Sequence, residues 1–340
     1  MSATSQPIRP SPELFFDVIR RSDDVAALKT AIELDVFTAI GEGNRTAPVL
    51  ASRCQASERG MRILCDVLVQ IGFLTKSKDG YALTQDSATF LDRRSPSYIG
   101  DGARFLTLPG HQQALDLLTE AVRKGGTALS EEGSLKPENQ DWVEFARSMA
   151  PLTRMAADSI AELLNARAGQ PWRVLDIAAS HGLFGIKLAQ HNPNAEITAV
   201  DWPNVLEVAK ENARQAGVAS RYHLRPGSAL EMDFGGGFDV VLITNFLHHF
   251  DLQTNEALLR KFHAALVPGG RAVILEFIPD EDRVSPPAAA KFSLTMLATT
   301  PSGDAYTFSE YERILRSSGF HSAKMYPIPS DPQQIILAVK

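Results

Sequence analysis

Polar side chains stand where the apolar runs in the second half of the chain end. Each run has the length of a buried strand, and helical segments separate the runs. Because the carboxyl ends of parallel strands meet at one edge of a sheet, we expect these side chains to converge on one ligand. The strand-end residues are Asp176, Asp201, Ser228, Asn245, His248 and Glu276.

The two aspartates have the spacing of a nucleoside site. Asp176 lies at the end of the run RVLDIA, and Asp201 ends EITAVD in the next run. An acid at the end of the second strand is placed to accept hydrogen bonds from both hydroxyls of a ribose. The alternative is that each aspartate caps the helix that follows it. The two aspartates together favour the nucleoside.

The turn DIAASHG after the first run keeps only one glycine, Gly182, and has Ala178, Ala179 and Ser180 where further glycines would stand. A pyrophosphate needs backbone amides close to it at a helix N-terminus, which a glycine-rich turn provides. This turn is a poor cradle for two phosphates, so a nucleoside without phosphates, such as S-adenosylmethionine, fits better. His181 either contacts the amino-acid end of that ligand or is solvated.

His248 and Glu276 form a candidate base and its orienting acid. They follow neighbouring predicted strands, so both lie over the same sheet edge. A glutamate bonded to one ring nitrogen fixes the tautomer and leaves the other nitrogen as base. A histidine with a pKa of about 6.5 assists deprotonation of a phenol or enol. The alternative is that His248 only positions or packs.

A doubly wound parallel sheet is the architecture that would position these residues. After Pro171, strand-like runs alternate with helical segments of ten or more residues, which predicts an α/β, Rossmann-like sheet. The last segment, SAKMYPIPSDPQQIILAVK, reads as two more strands joined by a turn with prolines. We expect it to add a C-terminal antiparallel hairpin to the sheet.

The first part of the chain predicts a mostly helical winged-helix domain. Helical periodicity predominates from Glu13 to Phe90, and this range also contains the hairpin signal LTKSKDGYALT. Residues 1–100 carry twelve Lys and Arg against twelve Asp and Glu, a balance of 12 − 12 = 0. DNA binding needs a positive docking face, so a protein contact through the apolar stretch AALKTAIELDVFTAI is favoured.

Two helical segments carry side chains suited to an uncharged planar ligand. One, from residue 141 to 164, has Phe145, Met149 and Met155 at helical spacing, and the other has Phe292 and Met296. Methionine and aromatic side chains form adaptable apolar pocket walls. The alternative for each is ordinary core packing.

Composition excludes several classes of function. The formal net charge is −6, which disfavours nucleic-acid binding through phosphate neutralisation. Cys54 and Cys65 have no histidine nearby, so we expect buried thiols and neither a zinc cluster nor a disulfide framework. The N-terminal sequence has no signal-peptide core and no run reaches membrane-spanning length, which predicts a cytoplasmic protein without membrane contact.

The segments VLDIAASHGLFGIKLA, ITAVDWPNVLEVAKENA, GSALEMDFGGGFDVVLITNFLHHFD and ALVPGGRAVILEF together resemble the class I S-adenosylmethionine-dependent methyltransferases. With the winged-helix N-terminus and PSGDAYTFSEYERILRSSGF, the chain is similar to the two-domain small-molecule O-methyltransferases. The resemblance covers nearly the whole chain. It implies S-adenosyl-L-methionine as cofactor and a homodimer formed through the N-terminal domain.

The resemblance also implies roles for single positions. The catalytic histidine matches His248, with His249 and Phe250 in place of the usual acid and tryptophan, and its orienting glutamate matches Glu276. The residues implied for the cofactor are Asp176, Ala178, Ser180, Gly182, Asp201, Trp202, Gly227, Ser228, Ala229 and Asn245. The residues assigned to the acceptor are Phe145, Met149, Met155, His249, Phe292, Met296 and Tyr306.

One family position is missing. A second glutamate of the family falls on Ala305, and Asp304 or Tyr306 would have to substitute for it.

The expected division of the chain is a dimerisation domain at 1–97, a helical pocket segment at 98–165 and the cofactor domain at 166–340. Methyl transfer to a hydroxyl of a small aromatic or enolic metabolite is the predicted activity. The alternatives are a C-methyltransferase and a winged-helix binding protein with an inactive cofactor domain.

Overall fold

The computed structural model describes residues 10–106, 108–136 and 138–340. The chain divides into two compact units, the first ending at Arg104 and the second running from Phe105 to Lys340. The separate helical pocket segment expected at 98–165 stays a prediction.

Short helices and one hairpin build the first unit, in the order that the sequence predicts. The helices are α1 (Glu13–Glu33), α2 (Val36–Gly41), α3 (Ala47–Arg53), α4 (Glu58–Gln70) and α5 (Gln85–Phe90), and α6 (Gly102–Leu106) crosses the unit boundary. The hairpin consists of β1 (Leu74–Ser77) and β2 (Gly80–Leu83). Gly80 has φ of +107°, and a Cβ there would stand 2.1 Å from the Arg45 carbonyl oxygen, so only glycine fits this approach.

The stretch AALKTAIELDVFTAI, residues 26–40, packs inside the first unit. Ala31, Val36 and Phe37 are fully buried in the core of that unit. The prediction that this stretch forms an apolar surface is therefore wrong, because its helical periodicity serves the core of its own unit. Six exposed large apolar side chains of this unit lie earlier in α1, between Leu14 and Val25.

The two cysteines are buried thiols, as predicted. Cys54 and Cys65 are both free and both lie in the core of the first unit. Burial raises the pKa of the Cys65 thiol to about 12, so it stays protonated and unreactive.

The second unit combines a seven-stranded sheet with helices. Its helices are α7 (Pro109–Asp116), α8 (Leu118–Lys124), α9 (Gln140–Leu163), α10 (Leu183–His191), α11 (Pro203–Gln215), α12 (Leu252–Ala265), α13 (Pro287–Thr299) and α14 (Phe308–Ser317). Its strands are β3 (Arg173–Ile177), β4 (Glu196–Asp201), β5 (Tyr222–Pro226), β6 (Phe238–Thr244), β7 (Leu266–Glu276), β8 (Ser322–Pro327) and β9 (Gln334–Val339).

The strand order is β5-β4-β3-β6-β7-β9-β8. Strands β3 to β7 pair in parallel, and β9 runs antiparallel between β7 and β8. The order reverses beside β3, between its neighbours β4 and β6, which is where ligands of doubly wound sheets bind. The predicted sheet and its C-terminal antiparallel hairpin are thus confirmed.

Alternate residues of the central strands bury into two separate cores. Val174 of β3 lies in the core that α9, α10 and α11 share, and Leu175 lies in the core formed with α12 and α14. This alternation follows from the strand's twofold side-chain period. It places Asp176 on the face of β3 that meets α10.

Capping residues fix where two helices at the carboxyl edge begin. Asp251 accepts a hydrogen bond from Thr254 N at 2.7 Å and starts α12. Thr307 and Glu310 form a capping box that starts α14. Such caps stabilise a helix by about 1 kcal/mol each, and here they fix the ends of the segments on either side of the candidate site.

No helix among the described residues is long and apolar enough to cross a bilayer.

Candidate active site

The turn after β3 keeps a left-handed backbone although it lacks most glycines. Ala178 and Ser180 have φ of +51° and +53°, and Gly182 has φ of +75°. Each non-glycine residue in this conformation costs about 1 kcal/mol or more. Gly182 cannot be replaced, because a Cβ there would stand 2.6 Å from the hydroxyl oxygen of Tyr222. Ala178 and Ser180 therefore add side chains to the turn, while its backbone keeps the left-handed conformation that glycine would adopt.

Asp176 is fully buried next to the first turn of α10. Its Oδ2 accepts a hydrogen bond from Gly185 N at 3.2 Å, so it does satisfy the helix terminus, as the capping alternative predicts. Burial raises the pKa of the carboxyl well above its usual value, and the nearby Asp201 adds to the rise. Its Oδ1 has no hydrogen-bond partner among the described residues. Capping alone therefore leaves one oxygen of Asp176 unexplained.

Asp201 ties the end of β4 to the turn. Its Oδ2 accepts from Ser180 N at 2.8 Å and its Oδ1 from Trp202 N at 2.7 Å. Burial raises the pKa of Asp201 to about 6, although these two N–H groups favour the charged form. Gly227 N donates to the carbonyl oxygen of Asp201 at 3.0 Å, which brings the end of β5 to the same place. Each carboxylate oxygen keeps a further lone pair for a ligand.

The remaining predicted cofactor residues also lie at this edge. Ser228 and Ala229 follow β5, and the Ser228 hydroxyl oxygen accepts from the backbone N–H two residues later at 3.2 Å. Asn245 follows β6 with φ of +53°, and its side-chain oxygen accepts from Gln333 Nε2. The structure thus brings the ends of β3, β4, β5 and β6 together in one row.

His248 and Glu276 meet as the sequence predicts. His248 Nδ1 lies 2.6 Å from Glu276 Oε2, and the two side chains are 5% and 0% exposed. Glu276 Oε1 accepts hydrogen bonds from the backbone N–H groups of Phe246 and Leu247 at 3.0 Å each, and from that of His248 at 3.4 Å. A carboxylate tolerates complete burial when its acceptor positions are filled in this way. The arrangement fixes the imidazole ring and leaves Nε2 without a partner in the pair.

Aromatic rings contact His248 from α13. Phe292 meets the imidazole edge to face, with ring centroids 4.8 Å apart, and stacks on Phe277 at 4.1 Å. Met296, one turn later on the same helix, is buried. Phe292 therefore borders the candidate base directly, whereas Met296 lies deeper.

A second series of rings leads from His248 to α9. His249 lies 4.3 Å from His248 between ring centroids and 5.4 Å from Trp142, and Phe145 contacts both Trp142 and Phe105. Burial lowers the pKa of His249 well below its usual value, and the neighbouring His248 adds to this. The buried Nδ1 of His249 has no partner among the described residues. A neutral imidazole thus stands between the candidate base and the aromatic face of α9.

Met155 lies on a different part of the α9 surface from Phe145. It is 45% exposed and lies ten residues after Phe145, about 80° away around the helix. Met149 is partly buried and lies about 40° from Phe145. The regular spacing in sequence did not separate the positions of Phe145 and Met155 around α9, and the assignment of Met155 to the acceptor stays a prediction.

The hydroxyl of Tyr306 is already hydrogen-bonded within the protein. Its hydroxyl donates to the carbonyl oxygen of Phe250 at 2.6 Å, and its side chain is buried in the core. The expectation that Tyr306 binds the acceptor or replaces the missing glutamate is therefore wrong, because its one polar group already has a backbone partner. Asp304 is 40% exposed and faces Arg283 at 3.5 Å, so it does not fill that position either.

His181 is neither solvated nor turned towards the ligand edge. Its Nδ1 accepts from Leu183 N at 3.0 Å, and its Nε2 lies 3.1 Å from Thr153 Oγ1 on α9. Burial lowers the pKa of His181 to about 4, which keeps the ring neutral. Both alternatives that the sequence left open for this residue are replaced by a buried contact between the turn and α9.

Three further residues at the site were not found from sequence. Gly185 is required because a Cβ there would stand 2.8 Å from Asp176 Oδ2. Gly303 is required because a Cβ there would stand 2.3 Å from the His248 carbonyl oxygen. Gln333, from the loop between β8 and β9, reaches Asn245. The two glycines gave only the weak signal of glycine near a strand end or loop, and Gln333 gave none.

Comparisons with known proteins agree with this geometry. A sequence model of the O-methyltransferase domain matches residues 133–321, and a model of the O-methyltransferase dimerisation domain matches residues 17–93. The chain belongs to the O-methyltransferase family. Its members use S-adenosyl-L-methionine, and this chain is an S-adenosylmethionine-dependent O-methyltransferase.

Several relatives of this O-methyltransferase span nearly its whole length. A 3-hydroxy-5-methyl-1-naphthoate 3-O-methyltransferase from Streptomyces sahachiroi is 29% identical, with 92% of this chain and 90% of the relative covered. An L-tyrosine C(3)-methyltransferase from Streptomyces lavendulae is 24% identical over 92% of this chain and 88% of its own length.

Two solved structures show the same fold. A Nostoc punctiforme protein with a provisional O-methyltransferase assignment is 55% identical, with a TM-score of 0.94 over 98% of this chain and 100% of its own. Human N-acetylserotonin methyltransferase in complex with S-adenosylmethionine is 21% identical, with a TM-score of 0.85 over 100% and 99% of the two chains. The second likeness concerns the fold alone.

The residues at the strand ends fit the family's cofactor. Asp176 Oδ1 and Ser180 Oγ are buried polar atoms without partners among the described residues, and both lie at the turn after β3. Native proteins rarely leave such atoms unpaired, so they indicate a polar ligand at this place. Asp201 has acceptor capacity for hydroxyl groups beside them.

Proposed function

We propose that this O-methyltransferase methylates a hydroxyl group of a small aromatic or enolic metabolite, with His248 as general base. The observation that supports this best is the 2.6 Å contact of His248 Nδ1 with the buried Glu276. The carboxylate holds the ring proton on Nδ1, so Nε2 is the basic nitrogen.

The chemistry divides between the cofactor and the chain. Bound S-adenosylmethionine supplies a methyl group carried by a sulfonium. His248 Nε2 takes the proton of the acceptor hydroxyl, and Glu276 stabilises the imidazolium that results. General-base assistance of this kind contributes about 10² to 10⁴-fold in rate. The aromatic rings next to His248 exclude water and align the acceptor oxygen.

The cofactor would be held by the row of strand ends. Asp201 accepts the ribose hydroxyls, and the turn with Ala178, Ser180 and Gly182 faces the amino-acid end. Asp176, Trp202 and Asn245 flank these positions, together with the segment Gly227, Ser228 and Ala229 after β5. The unpaired Asp176 Oδ1 and Ser180 Oγ support this placement.

The acceptor would lie between α9 and α13. Phe145 and Met149 line it from α9, and Phe292 and Met296 from α13. His249, which is neutral and has an unpaired Nδ1, offers the acceptor a hydrogen bond. These side chains are uncharged, which favours a planar acceptor without a formal charge at the end nearest the base.

Methylation of carbon is the second candidate reaction. The L-tyrosine C(3)-methyltransferase shows that a relative of this chain methylates an aromatic ring. An ortho carbon of a phenolate is nucleophilic, so the same deprotonation by His248 would serve it. Nuclear magnetic resonance of the labelled product separates the two reactions, because an O-methyl and a C-methyl group have distinct carbon shifts.

We further propose that the enzyme acts as a homodimer. The dimerisation-domain match lies in the first unit. The apolar side chains exposed on α1 give that unit a surface which a second copy would cover.

The test of the base is a His248→Ala variant assayed with a phenol such as 1-naphthol. We expect kcat to fall about 10² to 10⁴-fold, with recovery at high pH where the phenol ionises without assistance. The matched control is His223→Ala, since His223 forms a similar pair with Glu196 at 2.8 Å on the surface. Unchanged turnover of His248→Ala near pH 7 would exclude His248 as the base.

A further inference from the structure

His181 joins the cofactor turn to α9 through Thr153. Because His181 Nδ1 accepts the Leu183 N–H at 3.0 Å, the ring proton is on Nε2. Nε2 therefore donates to Thr153 Oγ1 at 3.1 Å, and that hydroxyl donates to the Ala150 carbonyl oxygen at 3.1 Å. The direction of every hydrogen bond in this chain of contacts is thus assigned.

The His181 end of this contact is fixed to the cofactor turn. The residue before it, Ser180, donates its N–H to Asp201, and the His181 carbonyl oxygen accepts from Asn212 Nδ2 at 2.9 Å. His181 is only 2% exposed. A shift of the turn would therefore move the imidazole with it, because the ring has little free space.

The Thr153 end is fixed to the helix that borders the acceptor. Thr153 and Trp142 are eleven residues apart on α9, which places them within about 20° around the helix and about 16 Å apart along it. Trp142 contacts His249, the neighbour of the candidate base. One face of α9 thus touches the cofactor turn at one point and the acceptor side at another.

Pro151 lies between these two points. It has no N–H to donate within the helix, so α9 lacks one backbone hydrogen bond there. A helix bends most readily at such a position. Displacement of Thr153 can therefore change the direction of the segment that carries Trp142 and Phe145.

We propose that Thr153 and His181 are positioning residues that couple the cofactor turn to the acceptor side of α9. Binding of the cofactor fixes the turn, the His181 to Thr153 hydrogen bond passes that restraint to α9, and the segment from residue 140 to 150 becomes ordered for the acceptor. The inference rests on the proposed placement of the acceptor beside α9, but it requires neither the assignment of His248 nor a particular acceptor.

The test is hydrogen exchange of α9 with and without S-adenosylhomocysteine, using Thr153→Val. Valine keeps the shape of the side chain and removes the hydroxyl. In the wild-type protein we expect the ligand to slow amide exchange in residues 141–149 about tenfold, within the usual range of coupling between sites. In Thr153→Val we expect less than about twofold slowing there, with calorimetric affinity for S-adenosylhomocysteine within about threefold of wild type.

Three variants complete the experiment. Thr153→Ser retains the hydroxyl and should restore the response, and Ser148→Ala removes a buried hydroxyl of α9 that bonds only to Glu144 among the contacts described. If Thr153→Val does not fold, Thr153→Ala leaves room for water to accept the Nε2 hydrogen and still removes the link. A full wild-type response in the folded variant, or loss of S-adenosylhomocysteine binding by it, would overturn the proposal. Neither outcome depends on the activity of His248→Ala.

Discussion

The buried titratable side chains at the candidate site of this enzyme differ in the partners that surround them. Glu276 is fully buried, accepts hydrogen bonds from three backbone N–H groups and contacts the His248 ring. His181 and His249 are buried without such a carboxylate, and burial lowers the pKa of each. Of these three histidines, only His248 contacts a carboxylate side chain, that of Glu276.

We expect Asp201 to make binding of the cofactor depend on pH. Its pKa of about 6 in the folded chain means that it is ionised above that pH and protonated below it. The ionised form can accept both ribose hydroxyls, so we expect affinity for S-adenosylhomocysteine to rise with pH up to about 6 and then to level off. Isothermal titration calorimetry between pH 5 and pH 8 measures this.

The raised pKa of Asp201 also affects the stability of the folded chain, and for stability it is low pH that is favourable. Folding raises the pKa of Asp201, so its protonated form favours the folded state, and that contribution is lost as pH rises towards 6.

The control for the binding experiment is Asp201→Asn, which should bind S-adenosylhomocysteine weakly and without this pH dependence. An affinity that stays constant from pH 5 to pH 8 in the wild-type protein would contradict the role of Asp201.

Short loops, rather than long helices, carry the cofactor turn and the candidate base. The turn from Ala178 to Gly182 follows β3, and the segment with His248 follows β6. Each loop is held by side chains from neighbouring strands: Asp201 of β4 bonds to the turn, and Glu276 of β7 bonds to the His248 segment. Sheet register therefore sets the positions of both loops.

Gly303 packs closely against the backbone of the His248 segment. A Cβ at this position would stand 2.3 Å from the His248 carbonyl oxygen and 2.6 Å from Thr300 Oγ1. We expect Gly303→Ala to displace the segment and to lower kcat about tenfold or more, because catalysis is sensitive to shifts of about 1 Å. Steady-state kinetics with 1-naphthol measures the effect.

The matched control for that variant is Gly236→Ala. At Gly236 the nearest atom to an added Cβ is 4.0 Å away, so the substitution meets no neighbour. We expect wild-type kinetics from it, and an unchanged affinity for S-adenosylhomocysteine from both variants. Wild-type kcat in Gly303→Ala would show that this close contact does not position His248.

At the scale of the whole molecule, the two units differ in how well they cover their apolar residues. The second unit encloses its sheet between two helical layers. The first unit leaves large apolar side chains exposed along α1, and Leu14, Val18 and Val25 fall within about 40° around that helix. Exposed apolar faces of this kind mark contact surfaces.

We expect this face of α1 to hold the homodimer together. Leu14→Glu combined with Val18→Glu should convert the dimer to a monomer, since two charges would then be buried without partners. Light scattering after size-exclusion chromatography measures the mass. The control is Val122→Glu, which changes an apolar residue of the second unit that is 60% exposed. A wild-type protein that is monomeric at micromolar concentration would disprove the dimer.

The sequence by itself determined the order of the elements and the residues at the strand ends. Helical and strand periodicity are local properties, so the alternation after Pro171 and the hairpin of the first unit could be predicted. His248 and Glu276 could be paired because parallel neighbouring strands end at one edge. The cofactor class followed from the turn and Asp201 in the same way.

Tertiary structure alone decided which face each residue presents and which partner its polar atoms find. The stretch from residue 26 to 40 was misjudged because periodicity does not say what covers a face. The hydroxyl of Tyr306 and the ring of His181 have partners 56 and 28 residues away in the chain. Such contacts depend on how distant segments pack, and the spacing of residues along the sequence carries no record of them.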